Sequence, residues 1–80
     1  MSTTETVCDI LRSTLGLGRA RLDADTALLG ALPELDSMAV VNVLLAIEEH
    51  FGIAVHDDEI SARHFATVGT LACFVESKLA

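Results

Sequence analysis

Ser37 is the residue of this chain best placed to do chemistry, because it follows the acid Asp36 and opens a long amphipathic segment, Met38 to Phe51. A serine there stands at a helix N-terminus, where the first backbone N–H groups lack intrahelical partners and the macrodipole adds partial positive charge. Such a position tolerates an anion. A phosphodiester on the Ser37 hydroxyl would lie where the backbone favours it, on an edge that a modifying enzyme can reach. The plainer role of the pair is a cap, since an aspartate before a helix accepts from an N–H two or three residues on.

The other reactive groups offer less. Ser37 with Asp36 and one of His50, His56 or His64 would make a hydrolase, but there is no Gly-x-Ser-x-Gly elbow. Adjacency alone does not let Asp36 orient a histidine that acts on Ser37. The histidines also lack a His-Glu-x-x-His spacing, so neither catalysis nor a metal site is expected. Cys8 and Cys73 fall in separate predicted helices with no flanking basic group to activate them, which predicts free thiols in a reducing compartment.

The elements that must position Ser37 follow from periodicity. Val7, Ile10, Leu11 and Leu15 predict a first helix from about Thr4 to Leu15, stopped by Gly16 and Gly18. Gly16 to Asp36 is a long connection whose Leu22, Leu28, Leu29 and Leu32 predict that it packs back on the helices. Val40, Val43, Leu44, Ile47 and Phe51 form the core stripe of the second helix, which ends at Gly52. Met38, Val41 and Leu45 make a second apolar stripe on its other side, with Glu48 and Glu49 closing it. That strip is either a contact site or buried under the chain's own loop. The acidic start His56-Asp57-Asp58-Glu59 predicts a short third helix to about Phe65. Thr67 then caps a fourth helix whose inner face is Val68, Leu71, Ala72, Val75 and Leu79.

The fold class predicted is therefore all-α, a small four-helix bundle of three long helices and one short third helix with a long first loop. Eighty residues make one domain, 1–80, and hydrophobic residues are 51% of the chain but aromatics only 4%, so aliphatic side chains must fill the core. Twelve acidic against five basic residues leave a net charge of -7, which argues against nucleic acid and favours a partner with a basic surface. Polar Ser2 to Glu5 after Met1 do not read as a signal peptide, and the apolar run Met38 to Ile47 is too short to span a bilayer. A cytoplasmic monomer is expected.

In this order and spacing the helices, the long loop and Leu35-Asp36-Ser37-Met38 together resemble an acyl carrier protein of the phosphopantetheine-binding superfamily, over nearly the whole chain. The tetrapeptide looks like the family's Asp-Ser-Leu signature with Met in the Leu position. Asp25-Thr26 with Leu28 and Leu29, Ala46-Ile47-Glu48-Glu49-His50-Phe51, and Ala66-Thr67-Val68 support it. The resemblance implies that a phosphopantetheinyl transferase moves 4'-phosphopantetheine from coenzyme A onto Ser37, with Asp36 helping to hold magnesium in the transferase complex. Acyl groups would ride as thioesters on that arm, passed on by an acyl-loading ligase or acyltransferase to downstream acyl-processing enzymes. The domain itself would catalyse nothing.

Two departures bear on partner choice. Where fatty-acid carriers typically place acids soon after the serine, this chain has Ala39 and Asn42. Pro33-Glu34-Leu35 also replaces the approach in which a glycine stands two residues before the aspartate. Met38, Val41, Asn42, Leu45, Glu48 and Glu49 are thus the expected partner-binding residues of a free-standing carrier in a specialised acyl, polyketide or lipid pathway. The alternative is an unmodified acidic helical module that docks through the same strip.

Overall fold

A computed structural model describes residues 2–18, 21–30, 35–56 and 58–79. The described elements are α1 (Thr3–Leu15), α2 (Ser37–Phe51), a 3-10 helix (Ala62–Phe65) and α3 (Val68–Leu79). The expected count of four helices is corrected: three α-helices and one four-residue 3-10 turn make up the described helical structure. The third helix expected from His56 does not form there. Instead the Glu59 carboxylate turns back to accept from His56 N–H at 2.9 Å and pairs with Lys78 of α3, so the acidic cluster closes a turn. Asp57, and Leu32, Pro33 and Glu34 of the first loop, lie outside the described residues.

Each helix begins and ends for a visible reason. Ser2 Oγ accepts from Glu5 N–H at 3.1 Å to start α1. Gly16 and Gly52 end α1 and α2 in the left-handed region at φ 67°, which costs a glycine no steric clash. Thr67 and Thr70 cap α3 reciprocally: each backbone N–H donates to the other's hydroxyl, at 3.0 and 3.1 Å.

The core joins all three helices to the loop. Val7 and Leu11 of α1, Val43 and Ile47 of α2, and Leu71 and Val75 of α3 are fully buried around Leu28 of the loop. Backbone bonding holds that loop down. Leu28 and Leu29 N–H donate to Ala66 O and Phe65 O, while Val68 and Gly69 N–H donate to Thr26 O and Ala24 O. The first N–H groups of α3, which no helix can satisfy internally, are thereby taken up by the loop. Leu15, Val40, Leu44 and Phe51 are only half-buried at the edge of the core. Leu79 corrects the expected inner face of α3: it is 47% exposed, at the last residue of the helix.

Candidate functional site

Leu35 decides how the Asp36-Ser37 pair is presented. Its side chain is buried in the core, and the chain then turns into α2 with Asp36, Ser37 and Met38 all facing solvent. Asp36 is the N-cap: its backbone is extended, and its Oδ1 accepts from Ala39 N–H at 2.8 Å. The cap role and the site role of this aspartate are compatible, because one carboxylate oxygen makes that bond and the other remains available. Ser37 is the first residue of α2, and the first turn of the helix holds no acid.

Beside Ser37 runs a groove of about 320 Å³, whose walls are Val40 of α2, Leu29 of the loop, and Ile60, Ser61 and Phe65 around the 3-10 turn. An exposed primary hydroxyl, a helix start with unpartnered N–H groups and an apolar groove fit a substituent that carries a phosphodiester first and a longer chain after it. A larger cleft, about 580 Å³ between α1 and α2, is lined by Asp9, Ile10, Ala46, Glu49 and His50 and lies away from Ser37. Its walls also carry the hydroxyls of Thr6, Ser13 and Thr14, but these lie within α1 and none opens a helix behind an acidic cap.

Exposure bears on the two possibilities for the outer stripe of α2. Met38 is 71%, Val41 50% and Leu45 54% exposed, so the described part of the loop does not cover the strip. Asn42 and Glu49 are exposed as well. Leu45, Glu48 and Glu49 share a shallow hollow at the far end. Glu48 is otherwise engaged: its Oε2 accepts from Val55 N–H at 2.8 Å, tying the chain after α2 back onto the helix. Of the two acids, Glu49 is the one more open to solvent.

The histidines do not converge on Ser37. His50 packs edge-on against Phe51, His56 gives its backbone N–H to Glu59, and His64 lies against Phe74. Among the described residues no group of three or more His, Cys, Asp or Glu is placed to hold a metal ion. Cys8 and Cys73 are free. Burial pushes the Cys8 thiol up from its ordinary range, which keeps it protonated and unreactive. The groove residues Ile60, Ser61 and Phe65 escaped sequence reasoning, since no periodicity links a turn more than twenty residues downstream to the start of α2.

The phosphopantetheine attachment site family matches residues 5–75. This chain belongs to that family. It is 56% identical to a holo acyl carrier protein of Nitrosomonas europaea, whose solution structure superposes with a TM-score of 0.91 over 99% of this chain and 98% of that one. A holo acyl carrier protein of Geobacter metallireducens is 25% identical, with a TM-score of 0.80 over 99% of this chain and 87% of the other. Acyl carrier protein 1, chloroplastic, of Spinacia oleracea is 35% identical over 80 residues. This chain spans 54% of that curated relative's length. The family is one whose acyl carrier proteins take 4'-phosphopantetheine covalently, both solved neighbours are holo acyl carrier proteins, and carriers of this family are not catalysts. Among the described residues no helix is long and apolar enough to cross a membrane.

Proposed function

We propose that Ser37 is the attachment residue and that the chain is a free-standing carrier, one domain over 1–80, in a specialised acyl, polyketide or lipid pathway. The observation that carries this reading is the exposed Ser37 hydroxyl on the first turn of α2, held there by buried Leu35 and the Asp36 cap. The arm supplies a thiol on which acyl groups are held as thioesters. The chain's own residues do the rest. Asp36 fixes the helix start and offers its second carboxylate oxygen to the transferase and its magnesium. Tethering raises the local concentration of cargo at each enzyme that the domain docks, and the domain surface decides which enzymes those are.

The exposed strip Met38, Val41 and Leu45, flanked by Asn42 and Glu49 with Glu48 at its end, is the docking surface in this reading. Its apolar centre supports partners that desolvate it, and the acid at its far end supports a basic rim on those partners. The partners are a phosphopantetheinyl transferase, a loading ligase or acyltransferase and acyl-processing enzymes. A monomeric state and a cytoplasmic location belong to the same proposal, the latter supported by the two free thiols.

The test is intact mass after incubation with a phosphopantetheinyl transferase and coenzyme A. The parent chain gains one arm, and Ser37→Ala folds with at most about 1 kcal/mol of change and gains none. A mass addition retained in Ser37→Ala overturns the assignment.

A further inference from the structure

The cleft of about 580 Å³ between α1 and α2 has an apolar floor and an acidic rim. Ile10 is buried and Ala46 half-buried, and these two make the floor. Asp9 and Ser13 of α1 and Glu49 and His50 of α2 are exposed, and they make the rim. Helical spacing is the cause: Ser13 follows Ile10 and Asp9 on one face of α1, and Glu49 and His50 follow Ala46 on one face of α2. Among the described residues that line the cleft there is no lysine or arginine, so each wall offers a carboxylate that no such cation answers from within.

We propose that the cleft between α1 and α2 docks a basic amphipathic helix of a partner protein, which sets apolar side chains on Ile10 and Ala46 and arginines against Asp9 and Glu49. A groove between two helices takes a third helix by its apolar face, and charge at the rim selects which helix enters. The volume lies within the range of about 300 to 1,000 Å³ over which proteins seat sizeable ligands. The net charge of -7 favours the same sign of partner at longer range.

Two features of the surroundings support that occupant. Glu49 also lines the shallow hollow with Leu45 and Glu48 at the end of the exposed α2 strip, so the cleft continues that strip around the helix toward α1. Asp9 Oδ1 holds Arg12 Nη1 at 3.0 Å, but the Asp9 side chain is 63% exposed and a surface pair of this kind is weak. Arg12 lines a different hollow, beside Leu22 and Asp23, and leaves the cleft side of Asp9 to an incoming cation.

The cleft does not depend on the modification of Ser37, so the test uses the unmodified chain. The probe is a synthetic helical peptide with leucines on one face and arginines flanking them, titrated into the labelled chain and followed by NMR. The methyl signals of Ile10 and Ala46 move, and the same peptide with glutamates for arginines leaves them still. Asp9→Asn weakens binding at those signals about two- to fivefold, Ser13→Glu strengthens it by a similar factor, and high salt shrinks both effects. The gain in Ser13→Glu is a result that misfolding cannot imitate. Asp9 lies on α1, off the α2 strip, so it separates the two surfaces: Met38→Lys leaves binding at the cleft unchanged. Shifts confined to Met38, Val41 and Leu45, equal shifts from both peptides, or either cleft variant titrating like the parent overturns the proposal and leaves the strip and the Ser37 assignment standing.

Discussion

α3 and the outer side of α2 carry apolar stripes of the same helical period, yet one is the centre of the molecule and the other is its surface. Val68, Leu71 and Val75 have no exposure at all, whereas Met38, Val41 and Leu45 are each at least half exposed. The difference lies in what each stripe meets. The α3 stripe faces α1, the 3-10 turn and the docked loop, while α2 turns Val43 and Ile47 to the core and no described residue buries its other side. Burial removes apolar area from water once; a second apolar face on the same helix remains available for a partner.

Breaking the buried stripe gives the largest expected effect. Leu71→Ala costs about 2 to 5 kcal/mol, because a fully buried leucine leaves a cavity, and Leu45→Ala stays within about 0.5 kcal/mol. Denaturant melts of the two variants check this directly. Equal midpoints would mean that the two stripes are not different in kind.

Next in size is the seam between the loop and α3. A Cβ on Gly69 would lie 2.9 Å from the Ala24 carbonyl oxygen, the same oxygen that accepts the Gly69 N–H at 2.8 Å. Both partners are backbone and neither can step aside, so Gly69→Ala costs about 1 to 3 kcal/mol through overpacking. Amide exchange at Gly69 and Val68 rises in that variant before exchange at Val43 does.

The exposed stripe is sharpened by kinetics. Met38→Lys or Val41→Lys leaves the melt unchanged and slows loading by a cognate enzyme about tenfold or more, as expected for an apolar contact near the middle of an interface. Glu48→Gln slows it less, and salt weakens that smaller effect, since rim charges act mainly on encounter. Should Glu48→Gln be the most damaging change and lose its effect at high salt, the strip is an electrostatic surface and the specialised-pathway reading fails.

The smallest effect concerns Glu59. The hydrogen bond from Lys78, and then that from the His56 backbone, hold its carboxyl below the usual carboxylate range. A carboxylate lowered by folding adds stability above its unfolded titration range and loses it as pH falls through the folded one. Glu59→Gln therefore melts slightly lower than the parent at neutral pH, and the two melts converge in acid. Solvent around this half-exposed pair keeps the difference small.

Sequence by itself determined the three α-helices, the stops of the first two at Gly16 and Gly52, the caps at Asp36 and Thr67, and the pairing of an acid with a serine at a helix start. All of these depend on neighbours within a turn or two of the chain, where residue type and spacing are the physical cause. Tertiary structure decided the remainder. The acidic segment before Phe65 reads as a helix start, but there Glu59 closes a turn onto the His56 N–H and pairs with Lys78, nineteen residues away. Leu79 kept the α3 period yet stands exposed at the helix's last position. Whether Met38, Val41 and Leu45 were core or surface, and which residues wall the groove beside Ser37, turned on contacts between segments far apart in the chain. A hydrophobic period states that a face is apolar, and only the packed neighbours settle whether that face is already taken.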